Sequence, residues 1–320
     1  MHHKHLIPMA LALGTYAVAM PAAASCGSAF CVLNTQWDTQ GLHSEPGRLR
    51  LDLRYEYVKQ DQLREGTENI SIDQVTDEEA AELQTINRNW VATIDYSIND
   101  RWSVSAAIPV VKRRHSHIED PAGAAEFESW DFTRAGDARI LGRYKLESAR
   151  PTDSVGLQFG AKLPTGSHTI ANADGKPAER SLQPGSGSTD LVVGGFYAYR
   201  PQTRGLGGFA QVLFQKAVET KDEFRPGDQL TVTGGLSYPV SDAATLLFQV
   251  NFQRKGRDTG ENAEPDVSGG RFVFASPGVS YSLTPDTQVY GFVQLPLMRD
   301  VNGIQLVADR ALVAGLTTRF

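Results

Sequence analysis

From Gly47 to Val58 the chain reads G-R-L-R-L-D-L-R-Y-E-Y-V, and charge recurs at every second position: Arg48, Arg50, Asp52, Arg54 and Glu56. In extended chain, side chains two residues apart share a face. The five charges therefore gather on one face, and Leu49, Leu51, Leu53, Tyr55 and Tyr57 on the other. Similar alternation sets Asp95, Arg139, Arg143, Lys145, Lys162, Asp190 and Arg319 opposite apolar neighbours, with Asp137 two positions before Arg139. Such a set supports two kinds of chemistry. The two signs can pair across neighbouring strands and fill a narrow interior, since buried charges need partners. Alternatively, a surplus of Arg and Lys can line a path for small anionic or aromatic solutes.

Other reactive residues are few. Cys26 and Cys31 are the two cysteines; in an exported chain they are expected to close a small disulfide loop. Their spacing fits neither a C-x-x-C redox pair nor a C-x-x-C-H haem site, and acylation of Cys26 is the alternative. His115 and His117 form H-S-H between Lys112-Arg113-Arg114 and Glu119-Asp120. Two histidines so spaced could hold a transition metal if the segment folded back, but a solvated surface loop is the expectation, so no metal and no cofactor are predicted. His43 and His168 stand alone. There is no G-x-S-x-G, H-E-x-x-H or phosphate-cradling loop. A barrel lipase would need a histidine on a strand, and none falls inside a predicted strand, so the chain is not expected to be an enzyme.

These charges need strands to position them. Alternating segments recur at 47–59, 86–98, 101–112, 135–147, 153–164, 189–200, 206–218, 228–240, 243–254, 270–283, 286–298 and 309–320, twelve in all. A bend that shifts register is expected at Ser276-Pro277-Gly278, and apolar-Pro steps such as Ile108-Pro109 and Leu295-Pro296 should mark the outer ends of strands. Short turn-rich links alternate with longer connections at 60–85, 113–134, 165–188, 219–227, 255–269 and 299–308. Keeping every long loop at one end is the asymmetry of an outer-membrane barrel. A short acidic helix capped by Asp77 is allowed within 72–84.

With 320 residues and 41% hydrophobic content the chain is too polar for a bundle of membrane helices. His2, His3, Lys4 and His5 precede an apolar run that ends in Pro21-Ala-Ala-Ala, the form of a signal peptide cleaved after Ala24. Loss of Lys4 leaves 30 basic against 37 acidic residues, a net of −7, which argues against nucleic acid. Residues 25–46, with the cysteines and Trp37, form a periplasmic segment that stays outside or plugs the barrel mouth. The final strand places Leu312, Ala314, Leu316, Thr318 and the terminal Phe320 on its apolar face. The fold expected is all-β: a twelve-stranded antiparallel transmembrane barrel over 47–320, closed by pairing of its last and first strands.

The run A-G-D-A-R-I-L-G-R-Y at 135–144, with L-P-T-G at 163–166, L-Q-P-G-S-G-S-T-D at 182–190 and Y-G-F-V-Q-L-P at 290–296, resembles the outer-membrane proteins grouped as the MetA-pathway of phenol degradation family. The resemblance implies a transporter-like barrel for small, often aromatic compounds and supplies no catalytic residues. The expectation is thus a Gram-negative outer-membrane channel. Its partners would be lipid and lipopolysaccharide, the barrel-assembly machinery and a small solute. The alternatives are a barrel that docks a periplasmic partner through its Cys26/Cys31 segment, in redox or metal handling, and a membrane-embedded hydrolase.

Overall fold

The computed structural model describes residues 47–75, 80–119, 125–148 and 150–320. The signal peptide, the Cys26/Cys31 segment, Trp37, His43 and Asp77 lie outside the described residues.

The described chain is one antiparallel sheet closed on itself. Its strands are β1 (Leu49–Glu65), the two-residue β2 (Glu68–Asn69), β3 (Ala81–Ser97), β4 (Trp102–Glu119), β5 (Glu126–Ala135), β6 (Ala138–Lys145), β7 (Asp153–Leu163), β8 (Thr189–Tyr199), β9 (Gly207–Glu219), β10 (Gln229–Pro239), β11 (Ala244–Lys255), β12 (Gly270–Ser282), β13 (Thr287–Val301) and β14 (Ile304–Arg319). β2 is a flap on the end of β1, and β5 and β6 both pair with β4. They are two halves of one stave, so the barrel has the twelve staves expected. β14 closes on β1, with Leu53 opposite Leu316 and Arg50 opposite Arg319. Closure leaves no edge to face lipid.

The alternation sorts as read. Leu51, Leu53, Trp90, Ile94, Ile108, Leu157, Leu246 and Leu316 are exposed on the outside, whereas Arg50, Asp52, Glu56, Asp95 and Lys162 are buried inside. Aromatic rings such as Tyr55, Trp90, Trp102 and Tyr144 pair on the outer surface, Tyr55 with Trp90 at 4.8 Å and Trp102 with Tyr144 at 4.7 Å, in the manner of barrels that meet lipid headgroups.

Several expectations fail, mostly because the strands outrun the bilayer. A tilted strand crosses the hydrocarbon in about 9–11 residues, but β1 and β3 have 17 residues and β4 has 18. Residues expected in loops at 60–65, 113–119, 126–134 and 299–308 are therefore strand, and the link between β13 and β14 shrinks to Asn302-Gly303, with Gly303 at φ 58°. Within 72–84, where at most a helical turn or two is allowed, the described residues hold a one-turn 3-10 segment at Ile72–Gln74 and strand from Ala81. Pro109 and Pro296 sit inside strands rather than at their ends. Pro109 falls where β4 changes partner from β6 to β5, and its carbonyl accepts from Gly136 N at 2.8 Å. No register shift occurs at Ser276-Pro277-Gly278; the bulge is opposite, at Leu297, between the pairs Val273–Met298 and Phe274–Pro296.

Candidate functional site

The barrel interior is the site, and its lower half is a network of cross-strand charge. Arg50 donates to Asp95 Oδ2 through Nε at 3.1 Å and Nη2 at 2.7 Å, and Arg143 reaches the other oxygen of Asp95 at 3.6 Å. Asp52 accepts from Tyr290 Oη at 2.9 Å and Thr317 Oγ1 at 2.9 Å. Arg54 pairs with Glu56 at 2.7 Å. Arg319 lines the lower cavity of about 350 Å³ beside Gln249 and Gln288. Lys145 is half-buried on the same inner face as Arg143. Arg48, of the same alternation, instead lies exposed at the rim, 3.7 Å from Asp286.

The upper half is built around the connection 164–188, which turns into the barrel rather than out of it. Leu182 is fully buried and packs with Ala178 against Val111, Trp130 and Phe132. One buried cluster holds this segment down. The Asp137 carboxylate accepts from Gly166 N at 3.0 Å, Ser186 N at 2.9 Å, Ser186 Oγ at 2.8 Å and Lys162 Nζ at 3.0 Å. Lys162 also donates to Ser188 O and Oγ, both at 3.1 Å, and lies 3.4 Å from Asp190. Three glycines let the backbones meet: a Cβ on Gly166 would stand 2.8 Å from the backbones of Gly136 and Gly185. The A-G-D, L-P-T-G and P-G-S-G-S-T-D runs are thus the parts of one lock, and Asp137, Lys162 and Asp190 are structural anchors of the inward segment as well as lumen charges.

A cavity of about 490 Å³ has the lock as part of its wall and also reaches Arg54, Glu56, Thr93 and Ser105 in the network below. Its cations are Arg54, Arg113, Arg139, Lys162, Arg180 and Lys255, and its acids Glu56, Asp137, Asp190 and Asp258, a formal excess of two positive charges. Arg139 donates to Gln215 Oε1 at 2.7 Å, and Lys255 pairs with Asp258 at 2.9 Å.

The sequence reading missed Arg113, Arg180, Lys255 and Asp258, and it misplaced the histidines. His115 and His117 lie in β4, not in a solvated loop, and are 0% and 3% exposed. Val111, Arg113, His115 and His117 carry the period-two pattern of β4 straight on; that signal was present. The outward Lys112 and Arg114 mark this stretch as lying above the apolar belt. His115 Nδ1 is 2.8 Å from Thr85 Oγ1, and its Nε2 is 3.3 Å from His117 Nδ1. Glu179, on the inward segment, comes within 3.6 Å of His117. Burial, and then the carboxylates of Glu264, Glu82 and Glu119, hold Glu179 well above the usual carboxylate range. Burial pushes both imidazoles below theirs.

A closed antiparallel barrel with apolar girth, charged lumen and an inward-folded connection is a β-barrel of the outer-membrane type. The sequence profile of the family described as "Putative MetA-pathway of phenol degradation" matches residues 123–301, more than half of the chain. The chain belongs to that family. Among solved structures it is similar to the COG4313 outer membrane channel from Pseudomonas putida F1, with 12% identity, 90% of this chain and 100% of that chain covered, and a TM-score of 0.64. It is also similar to the NanC porin, with 9% identity, 84% and 98% covered and a TM-score of 0.47, and to the CymD monoaromatic hydrocarbon channel, with 11% identity, 86% and 88% covered and a TM-score of 0.44. A search of curated proteins returns no match.

Proposed function

We propose that the protein is an outer-membrane channel for small anionic solutes, reached by export through the signal peptide at 1–24. One observation carries the reading: the 490 Å³ cavity inside the barrel has six cationic against four acidic lining residues. In a low-dielectric wall such a surplus raises the local concentration of anions and speeds their entry. The fold shared with an outer membrane channel supports the architecture, and an anion that carries an aromatic ring suits both the guanidinium planes and the family's description. Arg54, Arg139 and Arg113 are the residues assigned to meet the solute. Arg50, Asp52, Asp95, Arg143, Lys145 and Arg319 set the charge of the passage below.

The test is single-channel recording in planar bilayers under a salt gradient. Discrete conductance with a reversal potential on the anion side is expected. A folded barrel that passes no current and no solute in liposome flux sinks the channel reading, and cation selectivity sinks the solute class.

A further inference from the structure

The lock and the cavity leave one buried cluster unused. His115 and His117 project inward from β4, and Glu179 descends to them from the connection 164–188. One ligand atom from each lies within 4.8 Å of the others. The ring nitrogens face one another at 3.3 Å, and Glu179 Oε1 is 3.6 Å from His117 Nδ1. Metal–nitrogen bonds of about 2.0–2.1 Å in a tetrahedron require ligand–ligand edges of about 3.3–3.4 Å, so the imidazole pair already has that spacing.

The outer atom of the His115 ring is engaged in the way that metal-bound histidines are held, and that of His117 faces carboxylates without a hydrogen bond. His115 Nδ1 meets Thr85 Oγ1. His117 Nε2 faces Glu119 at 3.3 Å and Glu128 at 3.6 Å. With the ring protons placed toward these oxygens, lone pairs of His115 Nε2 and His117 Nδ1 point at one another. Glu179 Oε1 joins them, buried and without a hydrogen-bond donor. A proton shared between the two ring nitrogens satisfies that pair but leaves Glu179 Oε1 without a hydrogen-bond partner; a cation seated among the three atoms would engage all of them. Glu119 and Glu128 add negative charge close by, part of it offset by Lys176, which pairs with Glu128 and, at 3.1 Å, with Glu126. Trp130 packs at a tilt against both rings, with centroids at 5.8 Å and 5.0 Å, and limits their movement.

We propose that His115, His117 and Glu179 bind one divalent late transition metal, of the zinc type, which clips the inward segment to the barrel wall. Two neutral imidazoles and one carboxylate suit zinc and its first-row neighbours better than the oxygen-seeking magnesium or calcium. The metal completes a second tie, above the Asp137 lock, on the same segment. The site stands on its own geometry and does not depend on the channel reading.

The experiment uses the full mature chain, folded in detergent and stripped with a chelator, in a Cys26→Ser/Cys31→Ser background so that the thiols add no site. Zinc is titrated against a chromophoric chelator, and cobalt is added separately for its visible spectrum. One equivalent of zinc and the d–d bands of four-coordinate cobalt are expected. His117→Ala and Glu179→Gln should each weaken zinc binding at least about 100-fold, beyond the roughly 10–100-fold that loss of an outer-sphere partner produces. Folding of each variant is read from heat-modifiable gel migration. If His117→Ala does not fold, Glu179→Gln and the cobalt spectrum decide. A wild-type barrel that binds no zinc, or variants that bind it equally, overturn the proposal. Bilayer conductance on the same samples separates the two ideas, because zinc binding without current leaves the metal site standing and removes only the channel.

Discussion

Two walls of the lumen face each other, and they are built on opposite principles. On one, Val58, Phe272, Phe274, Val301, Val307, Ala308 and Ala311 pack as an apolar cluster across β1 and β12 to β14, with Leu247, Tyr290, Phe292 and Val313 as a second cluster. On the other, from the lower part of β1 through β9, charges pair across strands and the connection 164–188 folds in against them. Both walls present the same apolar surface to lipid. The difference teaches that the alternation of a barrel strand constrains its outer face strictly, while the inner face is free to be either core or conduit. The aromatic wall fills space and stiffens the cylinder, which leaves the charged wall to hold the cavity open.

That comparison can be broken most severely on the aromatic side. Phe274 is fully buried and stacked at 6.2 Å on Phe272. Phe274→Ala should cost about 3–5 kcal/mol, read as a lower urea midpoint for unfolding from phospholipid vesicles, with selectivity unchanged. The charged wall answers next. Asp137→Ala leaves Lys162 with less counter-charge and strands the Gly166 and Ser186 donors, a loss of about 3 kcal/mol; single-channel current should rise as the inward segment loosens. An unchanged midpoint and current would show that the lock holds nothing.

A smaller effect tests the seam where the walls meet. Tyr290 belongs to the aromatic cluster but donates to Asp52 of the charged network. Tyr290→Phe should cost about 1.5 kcal/mol, as expected for a hydrogen bond to a charged group; no change in the unfolding curve would mean that the walls are independent. The smallest change in stability is expected for Arg139→Gln, which removes a cavity cation without emptying a packed site. Its reversal potential should move away from the anion side, and an unmoved value would remove Arg139 from the solute path.

Much of this was legible in the chain. The strict alternation of Gly47–Val58, the short turns at one rim and the outward Phe320 specified a closed barrel of twelve staves, and the strands drawn from them hold. Parity also grouped the charges on one face, although Arg48 of that set lies exposed at the rim. Boundaries on the far rim were not legible. At 60–65 and 113–119 charged and polar residues read as loop because sequence analysis assumed that a strand ends where lipid ends. Above the bilayer water replaces lipid on the outer face, so Lys112 and Arg114 point outward while the hydrogen-bonded ladder continues beneath them. The histidines were lost to the same assumption.

What the sequence determined by itself is parity: which side chains share a face, and therefore which face meets lipid, because that depends on a local period of two. Which inward residues touch was decided by the tertiary structure alone. The pairing of Arg50 with Asp95, the meeting of Gly136, Gly166 and Gly185, and the convergence of Glu179 on His115 and His117 all depend on register, closure and the path of a long connection. These join residues 19 to 64 positions apart in the chain. No local preference encodes such distances; the closed ring of strands fixes them together.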